Sequence, residues 1–172
     1  AEVIKRPYSL SRDESPEWLA WQHAVYYVNQ KYGKFDVFIS LPATSPLRNT
    51  NDVNNCLNLY LKNKFESVVS IVKSNRSPWF NMVKKSKNDN LNLLIDENNI
   101  SRRQDSPNSY DMTTVAYVLE PNFIIKAKKI WDRPVLGVEI PRIRAIDIDD
   151  FIDLKVANFL YHESKEKEDI SK

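Results

Sequence analysis

The sequence predicts an α/β fold, a mostly parallel sheet covered by helices, and three observations predict it. Short runs of β-branched and aromatic residues without helical period recur at residues 37–41, 67–72, 115–119 and 135–140. Between them lie amphipathic stretches, with Trp18, Trp21, Val25 and Val28, then Val53, Cys56, Leu57, Tyr60 and Leu61, at helical spacing. Strand alternating with helix is the mark of βαβ units. At 172 residues with 42% hydrophobic and 28% charged residues, the chain suits one domain with a real core.

The elements follow in order. AEVI at residues 1–4 reads as strand-like. Ser15 is placed as a helix cap and Pro16 at the first helical position of a helix over residues 16–31, which Gly33 stops. The run at residues 37–41 reads as a central strand buried on both faces. Pro42 ends it, and Thr44, Ser45 and Arg48 then stand at its carboxyl end, where open α/β sheets bind ligands. A second helix and the strand at residues 67–72 follow. Residues 73–109 are polar and rich in Asn and Lys, with short alternating pieces at 80–83 and 91–95. They predict a hairpin-like arm, too little packed on itself to stand free and expected to lie on a partner subunit. The main fold resumes with a strand at 115–119, a helix over about 121–130 and a strand at 135–140. A last helix begins near Asp149 and uses Ile152, Val156, Phe159 and Leu160. Residues 1–163 are therefore expected to form a single domain and residues 164–172 a disordered tail.

Composition excludes several function classes. A net charge of +2 with scattered lysine clusters lacks the dense basic face of a nucleic-acid binder, so no nucleic-acid partner is expected. No window is apolar for the length a bilayer needs, and residues 1–12 lack the apolar core of a signal peptide, so no membrane partner is expected either. Cys56 is the single cysteine, which excludes an internal disulfide and fits a cytoplasmic protein. His23 and His162 have no ligand-spaced partner and read as satisfied surface or core histidines. With Gly33 and Gly137 the only glycines, neither a GxGxxG turn nor a Walker loop can be built.

The stretch RAIDIDDFID, residues 144–153, carries the chemistry. Alternation puts Asp147 and Asp149 on one side and Ile146 and Ile148 on the other. Two adjacent carboxylates repel, and a divalent cation is a common reason to tolerate them. Helix capping would account for Asp149 and Asp150 but not for Asp147. Both readings stand on spacing alone.

LPATSPLR at residues 41–48, RRQDSPNSY at 102–110 and RAIDIDDFIDLKVA at 144–157, with AEVIKRP and LSRDES near the start, together resemble the sugar-acid cytidylyltransferases, the acylneuraminate (CMP-sialic acid) synthetase family. The resemblance covers nearly the whole chain, with the blocks in the family's order. It implies a three-layer sheet of the nucleotide-diphospho-sugar transferase type and a homodimer formed through the protruding arm. It also implies transfer of CMP from CTP to the anomeric hydroxyl of a nine-carbon α-keto sugar acid, with Mg²⁺ and release of pyrophosphate. Residue by residue, Asp147 and Asp149 match the family's metal-binding, catalytic aspartates. Arg6 matches an arginine near the cytidine, Thr44 and Ser45 fall in the nucleotide-side block, and Arg103 and Tyr117 match positions on the sugar-acid side. No general base is evident.

Some positions depart from the family. Pro42 stands where LQPTSPLR usually has glutamine, Phe80 stands near a usual lysine, and YDMTTVAYV at 110–118 replaces a pattern ending in NGAIY. All three lie on the expected sugar side, which leaves room for a pseudaminic or legionaminic acid. An octulosonate substrate ranks second, because enzymes for that sugar carry a QGDEP-like turn where this chain has ATSPLR. The family's strand and loop of the form LxARxxSKxxxxKN, which holds the triphosphate, has no counterpart in these residues. The expectation is a missing upstream segment and weak CTP binding by the chain alone, with a non-catalytic binding or assembly fragment as the competing class. A sugar-phosphate nucleotidyltransferase using UTP or GTP would share the fold without the IDID and RRQD blocks.

Overall fold

A computed structural model describes residues 1–12, 14–63, 67–97 and 100–170. Its four-stranded sheet contains β1 (Phe38–Ser40), β2 (Ser67–Lys73), β5 (Tyr110–Leu119) and β6 (Val135–Glu139), in the order β1-β5-β2-β6. A separate two-stranded hairpin pairs β3 (Val83–Lys85) with β4 (Leu91–Leu93). The helices are α1 (Glu17–Tyr32), α2 (Thr50–Lys62), α3 (Pro121–Lys126) and α4 (Phe151–Ile170). β2 and β6 pair in parallel, whereas β5 runs antiparallel to both its neighbours. β1, β2 and β6 therefore share one direction and β5 alone is reversed, the mostly parallel sheet that the alternation predicts.

Residue alternation along the two central strands builds three layers. Val69, Tyr117 and Leu119 face one side, where Trp21 and Val25 of α1 and Phe123 and Ile124 of α3 cover them. Val68, Ala116 and Val118 face the other, against Cys56 and Tyr60 of α2. Burial pushes the Cys56 thiol up to about 11, so it stays protonated as a small core residue. Trp21 stands at 5.2 Å from Tyr117 and 5.7 Å from Phe38, which anchors α1 across β5 and β1.

Several expectations need correction. The strand buried on both faces is β5, not the run at 37–41: β1 is three residues long, only half-buried, and bonded on one side among the described residues. A β-branched run reports burial without reporting how many neighbours a strand has. AEVI is not a strand, because Glu2 is tied to the last turns of α1, accepting hydrogen bonds from Tyr27 at 2.5 Å and from Lys31 and Tyr32. Pro16 occupies the cap of α1, and the Ser15 hydroxyl donates to the Ser9 carbonyl at 2.7 Å instead of capping. Gly33 ends α1 as predicted, at φ 86°. The helix after β5 stops at Lys126, and a short 3₁₀ turn, Ile130–Asp132, replaces its expected last turn. The backbone of α4 runs as helix from Phe151 to Ile170, past the boundary at residue 163. Residues 171 and 172 of the expected tail lie outside the described residues.

Two further features position the site. Between Val69 and Ile71 the β2–β5 register jumps, from Val69 opposite Tyr117 to Ile71 opposite Met112. Ser70 fills the irregularity, accepting from the Ala116 amide at 2.9 Å and the Thr113 hydroxyl at 2.7 Å. The arm leaves the sheet after Lys73, which pairs with Tyr110, and its neck closes where the Ser74 amide donates to the Ser109 carbonyl at 3.0 Å.

Candidate functional site

The loop after β1 and the segment before α4 meet at the carboxyl end of β1. Asn49 and Asp52 form a reciprocal capping box that starts α2, with bonds of 3.0 and 3.1 Å. Asp52 is 1% exposed, and Arg144 grips its carboxylate with two bonds of 2.8 Å. Burial pushes the Asp52 carboxyl up, but the bonds from Arg144 and Asn49 outweigh it and hold the group below the usual range. The fork fixes the chain three residues before Asp147. Just beyond, the Ile148 amide donates to the Thr44 carbonyl at 2.9 Å, joining the two loops. Thr44 is exposed at this junction.

Ser45 is fully buried and its hydroxyl shares a 2.6 Å hydrogen bond with Thr114, a residue carried by the β5 irregularity. Arg48 donates to the carbonyls of Ser45 and Val115, both at 2.9 Å. Ser45 and Arg48 therefore shape the loop from inside, and Thr44 is the hydroxyl that reaches its surface.

Helix capping is done by other residues than Asp147 and Asp149. The Asp150 side chain accepts the amides of Ile152 and Asp153 at 2.7 and 3.0 Å, while Asp153 accepts those of Asp149 and Asp150 at 3.1 Å. Residues 145–148 have no regular secondary structure. Asp147 is half-buried, with its Oδ1 buried and without a hydrogen-bond partner, whereas Asp149 is exposed. A buried carboxylate oxygen with no donor is costly, and a hard cation is one group that satisfies it. Among the described residues no group of three or more His, Cys, Asp or Glu side chains could hold a metal by itself. Mg²⁺ is a cation that needs fewer protein ligands, since it keeps waters and takes one or two carboxylates together with substrate phosphates, and Asp147 is one carboxylate of the kind it would use.

Tyr117 is 7% exposed, and burial, with Glu17 and Asp147 adding, pushes its hydroxyl up to about 12. Tyr117 lines a hollow with Glu17, Trp18, Trp21 and Met112. Glu17 is raised by burial and by Asp147, against the Trp21 indole N–H, which donates to it at 3.2 Å, and the charge of Arg6. Arg6 is exposed and lines a shallow neighbouring hollow with Glu17 and His23, whose Nδ1 is buried without a partner. His23 is thus not the satisfied histidine expected. Asp147 lines a third hollow, which Met112 joins to that of Tyr117.

Arg103 sits on a 3₁₀ turn, Arg103–Asp105, where the arm returns, and donates to the Asn75 carbonyl at 2.6 Å. It lines a cavity of about 470 Å³ at the root of the arm with Lys73 and Arg76. A second hollow, shared by Lys73, Asn75, Arg103 and Arg142, leads to the hollow that Asp147 lines. The structure thus gathers Thr44, Tyr117 and Asp147 at one end of the sheet, with Arg6 reaching them through Glu17 and Arg103 through Asn75 and Arg142. Glu17, Asn75 and Arg142 were not singled out from sequence. Arg142 lies two residues before a quoted block, and no spacing rule tells which arginine turns inward.

No family model matches the chain. It is 25% identical over 130 residues to the post-translational flagellin modification protein B of Campylobacter coli, covering 76% of this chain and 54% of that protein. It is also 25% identical over 162 residues to the CMP-N,N'-diacetyllegionaminic acid synthase of Campylobacter jejuni, covering 93% of this chain and 68% of that one. The chain thus spans about half to two thirds of the length of these curated relatives. A crystal structure of 4-diphosphocytidyl-2C-methyl-D-erythritol synthase from Anaerococcus prevotii aligns with a TM-score of 0.54 and 11% identity, over 82% of this chain and 66% of that one. That likeness shows the nucleotidyltransferase type of fold, and the two relatives bear out the resemblance read from the motifs.

Proposed function

We propose that this relative of the sugar-acid cytidylyltransferases takes part in transfer of CMP from CTP to the anomeric hydroxyl of a nine-carbon α-keto sugar acid of the sialic or legionaminic kind. The anomeric hydroxyl oxygen attacks the α-phosphorus and releases its proton to solvent, a C–O–P linkage forms, and pyrophosphate leaves with the electrons of the broken P–O bond. The observation that carries the reading is Asp147, whose buried carboxylate oxygen has no partner while Asp150 and Asp153 take over the capping that would otherwise explain the acidic run. The relatives' similarity supports the nucleotide and the substrate class.

In this reading Asp147 and Asp149 hold Mg²⁺. When bound, the cation supplies charge that offsets the negative charge on the phosphates. Thr44, at the loop junction, and Arg6 face the nucleotide; Ser45 acts from below by fixing the loop through Thr114. Arg103 and Tyr117 face the sugar acid, the guanidinium toward its carboxylate. Phosphates also need backbone N–H donors and cations. Neither a glycine-rich loop nor a lysine-bearing loop before a helix lies at this end of the described sheet, and the 172 residues alone therefore hold CTP weakly.

The reading includes a homodimer. The β3–β4 hairpin leaves Val83 and Leu91 more than half exposed, with Phe80 and Leu94 beside them also exposed, and a second subunit would cover these side chains. The test of the whole reading is pyrophosphate release with CTP, UTP and GTP against a panel of nonulosonic and octulosonic acids. It is run on this chain and on a longer one carrying an upstream strand and a loop with Arg and Lys. CTP-dependent release with a nonulosonic acid by the longer chain supports it. Release with UTP or GTP, or none by either chain, refutes it.

A further inference from the structure

Glu17, Trp18, Trp21, Met112, Tyr117 and Trp131 line a cavity of about 330 Å³ between the start of α1, β5 and the 3₁₀ turn Ile130–Asp132. Most of its wall is apolar. The indole N–H groups of Trp18 and Trp21 are already used, on the Ala127 carbonyl at 3.0 Å and the Glu17 carboxylate at 3.2 Å, so these two rings offer only carbon surface. Met112 and Trp131 extend that surface and are 43% and 61% exposed, apolar area that the fold leaves uncovered. Two polar groups stand in this apolar setting. Tyr117 is 7% exposed, yet its hydroxyl makes no hydrogen bond among the described residues, and burial keeps it protonated, which makes it a donor. Glu17 gives one carboxylate oxygen to the Trp21 indole, and its second oxygen, unbonded among the described residues, is an acceptor.

From this arrangement we propose that the cavity reads an acylamino group on the acid substrate: the acyl carbonyl accepts from the Tyr117 hydroxyl, the amide N–H donates to Glu17, and the acyl methyl lies against Trp18, Met112 and Trp131. The proposal rests on the sugar-acid reading above and deepens it, naming the substituent that is recognised and adding Glu17, Met112 and Trp131 as specificity residues. A hydroxyl in the same place would cover none of the apolar wall and could not meet both polar groups at once. A nucleobase also carries donors and acceptors, but two observations favour the acylamino group. The aromatic rings meet at 51° between Trp18 and Trp21 and at 56° between Trp21 and Tyr117, a corner that surrounds a methyl group and gives a flat base no pair of parallel faces. The cavity also continues past Met112 into the hollow that Asp147 lines, whereas Arg6 opens on a different hollow. A sugar ring with its anomeric hydroxyl near Asp147 therefore extends a substituent past Met112 into the aromatic corner.

The experiment compares N-acetylneuraminic acid with the analogue that carries a hydroxyl in place of the acetamido group, and with CMP, by saturation-transfer NMR and calorimetry on the full chain. The proteins are wild type, Tyr117→Phe and Trp131→Ala, each checked for an unchanged circular dichroism spectrum. Wild type should bind the acetamido acid on the order of 10-fold more tightly than the hydroxyl analogue, the scale of one or two hydrogen bonds with a buried methyl, and the acetamido methyl should receive the strongest saturation. Tyr117→Phe keeps the ring and removes the hydroxyl, so it should erase most of that ratio and leave the hydroxyl analogue's affinity unchanged; a structural role would weaken both acids alike. Trp131→Ala, at an exposed position, should reduce the methyl saturation and the ratio without unfolding the chain. Equal affinity for the two acids, equal weakening of both by Tyr117→Phe, no binding of either acid at millimolar concentration, or displacement of the acid by CMP with loss of CMP affinity in Tyr117→Phe overturns the acylamino site. An acetamido preference that depends on Tyr117, with no CMP transfer by the longer chain, keeps the site and overturns the proposed reaction; CMP transfer without the preference does the reverse.

Discussion

Replacing Arg144 by methionine leaves Asp52 as a buried carboxylate with its countercharge gone, and the structure sets the size of the effect. Asp52 is 1% exposed, and the Arg144 side chain, 31% exposed, gives it two bonds of 2.8 Å. Removing one partner of a buried pair costs about 3–5 kcal/mol, and the partial exposure of Arg144 places this case near ~3 kcal/mol. For a chain of this length that is a fall in melting temperature of roughly 6–12 °C. The sign of the effect is tested by a second variant. Asp52→Asn combined with Arg144→Met leaves no buried charge, so the double variant should be more stable than Arg144→Met alone, although it removes one more polar interaction. The pH dependence follows from linkage. The Asp52 carboxyl is held below its ordinary range in the folded protein, so its contribution is present above the unfolded value near pH 4 and is lost as pH falls through the folded value. The gap between wild type and Arg144→Met should therefore be full at pH 7 and narrow below pH 4. Urea denaturation at pH 7, 5 and 3.5 measures all of this. An Arg144→Met variant within ~1 kcal/mol of wild type, or a double variant less stable than the single, would refute the reasoning that this pair anchors the acidic segment.

Asp147→Asn replaces a carboxylate oxygen that is buried without a partner, so it should leave the melting temperature unchanged or raise it in the absence of Mg²⁺; in the longer chain that carries the upstream strand and loop it should abolish CMP transfer and the melting-temperature increase that Mg²⁺ with CTP gives. Asp149→Asn should lose the same ligand response without a stability change, and retention of turnover in either variant would remove the metal assignment. Val83→Lys with Leu91→Glu, both exposed on the hairpin, should convert a dimer to a monomer in light scattering at micromolar concentration and leave the circular dichroism spectrum intact; a wild type that is already monomeric would refute the dimer.

Sequence by itself determined the layers and the blocks of the site. Period-2 apolar runs and 3.6-period helices are local signals, and they located β2, β5, β6, α1 and α2 because burial of those faces is written in residue order. The same locality placed Asp147, Thr44 and Arg103 in motifs. Only the tertiary structure decided that β1 lies at an edge of the described sheet and that β5 runs against its neighbours, since strand order and direction depend on hydrogen bonds between residues far apart in the chain. It also separated residues of one type into different tasks. Ser45 turned inward to Thr114 while Thr44 stayed at the surface, and Asp150 capped α4 while Asp147 kept a bare oxygen. Arg144 closed on Asp52 across 92 residues of sequence, while Arg142 turned to Asn75. A side chain's charge is a property of its type, but its partner is set by which distant segment the fold brings within 3 Å, and that choice divides structural arginines and aspartates from those left free for a ligand.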